Sequence, residues 1–168
     1  MMDLNHTQKE IENIKPLVKK LESLVDKANN IIIIGNGGSN SIASHIAQDY
    51  TKVLGKKAIS FSDPSRLTCY MNDYGIENAY MKFIEHFSQN NTLVILISSS
   101  GESKNIINAA QYCNENNLDL ITLSGFDSNN LLRSFNSKLS YWVDSKDYGV
   151  VECVHQIFLH SILGESIS

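Results

Sequence analysis

The sequence predicts an α/β fold: a single three-layer αβα domain built on a five-stranded parallel sheet. Three observations predict it. Short, wholly apolar, β-branched runs recur along the chain, with Ile31 to Ile34 and Leu93 to Ile97 the clearest, and such runs read as strands buried on both faces. Segments of helical periodicity separate them, and strands alternating with helices imply parallel pairing with helices on both faces. Two of the runs end in loops of small residues, Gly35-Asn36-Gly37-Gly38-Ser39 and Ser98-Ser99-Ser100-Gly101-Glu102-Ser103.

The elements follow in order. Ile11, Ile14, Val18, Leu21 and Val25 recur at three- and four-residue steps, which predicts an amphipathic first helix that Pro16 kinks or restarts. Residues 1–29 thus form an N-terminal helical segment used in packing or oligomerisation. Ile31 to Ile34 is the first strand. The glycine loop turns the chain into a second helix, Asn40 to Lys52. Lys57 to Phe61 is a short strand. Asp63-Pro64-Ser65 opens another helix by capping chemistry, with proline at the first helical position. Ile76 to Phe87 is helical by period, and Tyr80, Phe83 and Phe87 fall on its core or interface side. After the Leu93 strand and the serine loop, Ile106, Ile107, Ala110 and Tyr112 mark a helix. Leu118 to Leu123 is the fourth strand, ending in Ser124-Gly125, and Leu139 to Val143 is the fifth, with Trp142 as packing. A helix from Val150 to Leu163 closes the domain.

Composition narrows the function. The chain has 168 residues, enough for one domain with a sizeable core. A net charge of −4 with interspersed signs argues against a nucleic-acid surface. Cys69, Cys113 and Cys153 are far apart and odd in number, so a reducing compartment fits better than a disulfide framework; all three read as small packing residues. The first residues are polar, and no apolar run approaches the ~18–20 residues of a membrane span. The expected location is the cytoplasm.

The two loops carry the chemistry. A hydroxyl-rich loop between a strand and a helix N-terminus presents backbone N–H groups, the helix dipole and serine hydroxyls to an anion. The Ser98 to Ser103 loop holds no lysine and no P-loop pattern, which favours a single phosphate ester over a nucleotide triphosphate. The competing reading is a serine-rich turn with Ser103 as a helix cap. In parallel sheets ligands sit beyond the carboxyl ends of the strands, so both loops belong to one candidate site. His45 and Asp49, at i and i+4, share one helix face and can meet one cation, although a plain surface pair has the same spacing. His155 and His160 point in different directions; His155 reads as structural, hydrogen-bonded at a subunit contact.

Four segments in order, Ile33-Ile34-Gly35-Asn36-Gly37-Gly38-Ser39, Met71-Asn72-Asp73-Tyr74-Gly75, Ile97-Ser98-Ser99-Ser100-Gly101-Glu102-Ser103 and Glu152 to His160, resemble the sugar isomerase (SIS) domain family, and within it the phosphoheptose isomerases. The resemblance covers nearly the whole chain. It implies the flavodoxin-like SIS architecture and an aldose–ketose isomerisation, sedoheptulose 7-phosphate to a heptose 7-phosphate for surface-polysaccharide precursors, through an enediol. By resemblance, Asn36, Gly37, Gly38 and Ser39 contact the sugar phosphate, Asn72 and Asp73 the sugar hydroxyls, and Ser98, Ser99, Ser100 and Ser103 the phosphate. The family's metal ligands fall on His45, Asp49, Glu152 and His160, with Glu152 also lining the substrate site. Asp49 and His160 take the places of its acid–base pair. The implied cofactor is a divalent metal, zinc by expectation, and the implied assembly is a homo-oligomer, a tetramer with sites between subunits.

Glu152 and His160 lie eight residues apart, about 12 Å along a helix, a gap that two ligands of one ion could barely close from one chain. Either the helix starts after Glu152, or the two reach a given metal from different chains; the second is expected. The chain departs from the family pattern at Asp49 for glutamate, Glu152 for glutamine and Gly149 for an acid. These changes line the sugar end and bear on which sugar phosphate is used. Two other readings stand beside the isomerase: a non-catalytic SIS module that binds a sugar phosphate or a protein partner, and an isomerase for a different sugar phosphate. The retained His45, Asp49 and His160 speak against the first.

Overall fold

The computed structural model describes residues 4–164. Five strands, β1 (Asn30–Gly35), β2 (Lys57–Ser60), β3 (Thr92–Ser98), β4 (Asp119–Ser124) and β5 (Leu139–Trp142), form one all-parallel sheet in the order β2-β1-β3-β4-β5. This is the doubly wound order in which the succession of strands reverses between β1 and β3, the place where such sheets bind ligands. The expected three-layer αβα domain is therefore observed.

Alternation along the strands divides the core. Ile31, Ile33, Leu93, Ile95 and Ile97 face one layer, with Leu21 and Val25 of α2 (Val18–Lys27), Ile46 and Tyr50 of α3 (Gly38–Lys52), and Val154 and Phe158 of α7 (Tyr148–His160). Ile32, Ile34, Val94 and Leu96 face the other, with Phe83 and Ile84 of α5 (Ala79–Phe87) and Ile106, Ala109 and Ala110 of α6 (Lys104–Glu115). Each of these isoleucine and leucine side chains is fully buried, a stabilisation of about 1.5–3 kcal/mol apiece relative to exposure. Helix α4 (Pro64–Tyr74) adds Leu67, Tyr70 and Met71 to the second layer from its partly buried side.

Several boundaries differ from the sequence reading. The first helix is two: α1 (Leu4–Glu12) and α2, separated by a single 3-10 turn at Lys15–Leu17 that contains Pro16. Proline cannot supply the N–H that would continue α1, so the helix restarts rather than kinks. α1 is tied to β5 where Tyr141 Oη donates to the Glu10 carbonyl (3.1 Å) and the Asp144 N–H to the buried Glu10 carboxylate (3.3 Å). The helix expected from Ile76 begins only at Ala79. Gly75 ends α4 with φ of 77°, and Ile76, in the turn that follows, is exposed. The last helix runs Tyr148–His160 rather than Val150 to Leu163. The Asp147 carboxylate caps it by accepting from the N–H groups of Gly149 (2.7 Å) and Val150 (3.4 Å), which starts it two residues early. Of the cysteines, only Cys113 is buried, and burial pushes its thiol up to about 12; Cys69 and Cys153 are exposed, contrary to the packing role expected of them.

Candidate active site

The register of β1 against β3 sets Gly35 opposite Ile97, so the glycine and serine loops leave the sheet side by side. Between them lies a pocket of about 140 Å³ lined by Asn36, Ser39, Ser98, Ser99, Ser100, Ser103, Tyr148 and Glu152. The two loops thus form one site at the strand ends, as their placement in a parallel sheet requires. The serine hydroxyls divide by what they do. Ser98 Oγ accepts from the Gly101 N–H (3.2 Å) and Ser100 Oγ from the Glu102 N–H (3.2 Å), which shapes the loop. Ser103 occupies the N-cap position of α6 without any side-chain capping bond; the Ile106 N–H is satisfied by the Ser103 carbonyl and by Asn105 Oδ1, both at 3.0 Å. The competing reading of Ser103 as a capping side chain does not hold. Ser99 Oγ is buried and has no hydrogen-bond partner. A buried hydroxyl left unpaired costs about 1–3 kcal/mol, and an anion in this pocket would repay it. Gly101, with φ of 66°, holds a conformation in which a Cβ would lie 2.9 Å from the Asn130 Cβ, so glycine is required at the loop's tip.

Asn36 is fixed rather than free. Its Nδ2 donates to Asn105 Oδ1 (3.0 Å), Asn105 Nδ2 donates back to Asn36 Oδ1 (2.9 Å), and Tyr80 Oη donates to the same oxygen (2.7 Å). This leaves one amide N–H of Asn36 for the pocket. Asn105 and Tyr80 escaped the sequence reading. Tyr80 falls in the apolar period of α5, and nothing local marks its hydroxyl as reaching β1.

A second constellation lies where α3 packs beside α7. Tyr50 Oη donates to the Leu159 carbonyl (2.8 Å) and ties the helices together at this level. His160 Nε2 lies 3.1 Å from Asp49 Oδ2, across 111 residues of sequence, and His45 Nε2 lies 3.3 Å from the same oxygen. The two imidazoles meet edge to face with centroids 5.1 Å apart. The Asp49 side chain is 18% exposed, His160 29% and His45 51%, so the carboxylate is the inner member and His45 the outer. Ligand atoms of all three lie within 4.8 Å of one another. Two imidazole nitrogens and a carboxylate oxygen converging from two helices are a donor set that fits a divalent cation with an open coordination position.

The remaining predicted residues divide. Glu152 sits inside α7, which begins at Tyr148, so the possibility that the helix starts after Glu152 is excluded. Its carboxylate lies against Gly38, at the N-terminus of α3; a Cβ at Gly38 would stand 2.6 Å from Glu152 Cδ and would push that carboxylate aside. Glu152 therefore faces the serine pocket and, within one chain, stays apart from the His45–Asp49–His160 cluster. Gly37 does not line that pocket, and neither do Asn72 and Asp73, which are exposed on α4 with Asn72 Nδ2 donating to Asp73 Oδ1 (2.9 Å). His155 is fully buried, its Nε2 3.0 Å from the Ser124 carbonyl of the same chain, and burial pulls its imidazole down to about 4. It is structural as read, but in the core rather than at a subunit contact. Tyr148, exposed and edge-on to Phe126 (4.8 Å), adds an aromatic wall to the pocket that the sequence reading did not assign.

Sheet order, switch-point pocket and clustered imidazoles together define a doubly wound α/β protein with a serine-lined pocket at its strand ends and a separate cluster of residues that could hold a cation. Comparison with known proteins makes the class specific. A family model for the SIS domain matches residues 4–125. The phosphoheptose isomerase of Fusobacterium nucleatum is 32% identical over 161 residues, covering 93% of this chain and 82% of that protein. That of Glaesserella parasuis is 33% identical over 132 residues, covering 74% and 69%. The solved structure of a phosphoheptose isomerase from Neisseria gonorrhoeae superposes with a TM-score of 0.81 over 94% of this chain and 90% of that one, at 23% identity, and so shows a shared fold. The chain belongs to the SIS domain family.

Proposed function

We propose that this chain is an aldose–ketose isomerase acting on a sugar phosphate, with sedoheptulose 7-phosphate as the substrate and a heptose 7-phosphate as the product. The relatives named as phosphoheptose isomerases at 32–33% identity support the substrate class. The observation that carries the chemistry is the meeting of Asp49 and His160 at 3.1 Å from two distant helices.

In the ketose-to-aldose direction a proton leaves C1 while the C2 oxygen gains one, an enediol forms across C1 and C2, and a proton then returns to C2 while the C1 hydroxyl gives up its own. Asp49 is the base that takes and returns the carbon-bound proton. His160, hydrogen-bonded to it, moves the hydroxyl proton; paired acid–base groups of this kind contribute about 10²–10⁴-fold each. His45, Asp49 and His160 would hold a divalent cation, zinc by the chemistry of the donor set, which when bound supplies charge stabilisation to the substrate oxygens. The phosphate occupies the serine pocket, held by Ser99, Ser103, the N–H groups at the start of α6 and the remaining Asn36 N–H, so binding energy is drawn from a group remote from the reacting carbons. Gly37, Asn72 and Asp73 would meet the substrate only in an assembly or closure that moves α4 or adds a second copy.

The working form in this proposal is a homotetramer with sites between subunits. The half-exposed His45 and the separation of Glu152 from the cluster within one chain support it, because a second copy would close the open side. Among the described residues no helix is long and apolar enough to cross a membrane, and the three free cysteines fit the reducing cytoplasm as the place of work. Incubation with sedoheptulose 7-phosphate, with and without a chelator, tests the proposal. Interconversion lost on chelation and restored by zinc is expected. Tight sugar-phosphate binding without turnover would replace the enzyme by a sensor.

A further inference from the structure

Positions 152, 156 and 160 are spaced one helical turn apart and form a stripe along α7. The stripe faces α3 in three levels: Glu152 against Gly38, Gln156 beside His45, and His160 against Asp49. At the middle level, Gln156 has none of the roles described above. Gln156 Nε2 lies 3.3 Å from His45 Nδ1, while His45 Nε2 faces Asp49 Oδ2. The side-chain amide therefore touches the imidazole nitrogen that points away from the cluster.

We propose that Gln156 is a positioning residue for the cation site, fixing which nitrogen of His45 is free to bind. The inference rests on the reading of His45, Asp49 and His160 as a cation site. A neutral imidazole carries one N–H, and the nitrogen that lacks it is the ligand. With its amide N–H toward Nδ1, Gln156 donates there, and Nε2 keeps its proton and donates to Asp49. A half-turn of the amide exchanges nitrogen for oxygen at the same place. Gln156 Oε1 then accepts from Nδ1–H, and the Nε2 lone pair is left facing Asp49 and His160. Metal-bound histidines regularly donate their second ring N–H to such an outer acceptor, and loss of that acceptor costs about 10–100-fold in metal affinity. An amide serves both tautomers, whereas a carboxylate serves only the metal-ready one.

Cobalt(II) titration of the full chain tests this without any turnover assay. The probe reads affinity by calorimetry and ligand number by the visible absorption of the bound ion. Gln156→Leu is expected to weaken cobalt binding about tenfold or more while leaving the band positions and the metal-free melting temperature as in the wild type. Gln156→Glu, which retains an acceptor, is expected to bind at least as tightly as the wild type. Equal affinity in Gln156→Leu overturns the proposal. Altered band positions also overturn it, because they make Gln156 a direct ligand. A wild-type chain that binds no cobalt overturns the cation site itself, an outcome read before any variant is made.

Discussion

His155 makes the stability of this fold depend on pH in a way that a single substitution isolates. Its ring is fully buried, with Nε2–H donated to the Ser124 carbonyl and Nδ1 without a partner. Desolvation disfavours the imidazolium and lowers the group from 6.5 to about 4, against a smaller upward effect of the Ser124 bond. The sign follows from proton binding. The unfolded chain takes up a proton near pH 6.5 and the folded one only near 4, so stability is full above pH 6.5 and drains away as pH falls toward 4. At about 1.4 kcal/mol per pH unit across that interval, the loss saturates near 3 kcal/mol, a large share of the 5–15 kcal/mol of an ordinary domain. The assay is urea denaturation at half-unit steps from pH 7.5 to 4. His155→Gln keeps a donor for the Ser124 carbonyl and cannot titrate, while every other group titrates alike in both proteins. The wild type should lose about 3 kcal/mol more than the variant across this range. Parallel curves would show that the ring is accessible to protons and refute the reasoning. The site is also involved, because Gly125, next to Ser124, donates its N–H to the Ser99 carbonyl (2.9 Å). Protonation of His155 should therefore loosen one wall of the serine-lined pocket.

Other expectations are simpler to check. Asp49→Asn and His160→Ala should each lower kcat by two orders of magnitude or more while changing the affinity for inorganic phosphate little, measured by steady-state kinetics and calorimetry. Ser99→Ala should act with opposite signs. Removing an unpaired buried hydroxyl should raise the melting temperature of the ligand-free protein, by roughly 1 kcal/mol of stability, while KM for the sugar phosphate rises. Glu152→Gln removes a carboxylate from the anion pocket and should tighten phosphate binding several-fold, most clearly at low ionic strength; weaker binding would place the phosphate elsewhere.

The parts of the molecule that were legible in the sequence are those in which local pattern and tertiary environment agree. The isoleucine run of β1 and the Leu93 to Ile97 run of β3 are apolar on both faces because both faces are covered, so their burial was readable without coordinates. The small-residue loops were readable because a tight approach of backbone leaves little choice of side chain. Boundaries that depend on one capping group were less so. The Asp147 carboxylate starts α7 two residues before its apolar period begins, and Gly75 stops the chain short of α5 although Ile76 fits the period. The site was half legible. The spacing of His45 and Asp49 put two candidate ligands on one face, but their meeting with His160 depends on how α3 and α7 lie together, which no local window contains. Gln156 stood four residues before His160, a spacing open to inspection, yet only the contact with His45 Nδ1 gives it meaning. Tyr80 and Asn105 brace Asn36 from two other helices, and that connection exists only in three dimensions.

The parallel packing of α3 and α7 has a consequence for evolution of the pocket. The serine-lined hollow takes Ser39 from α3 and Tyr148 and Glu152 from α7, the same two rigid rods that carry the histidine cluster, and along α7 Glu152 and His160 stand roughly 12 Å apart at 1.5 Å per residue. The distance between grip and chemistry is thereby gauged by helical rise. Adapting such a scaffold to a longer or shorter carbohydrate would take a sliding of one rod past the other, whereas exchanging the loops at its rim would alter only what decorates a molecule of the same reach.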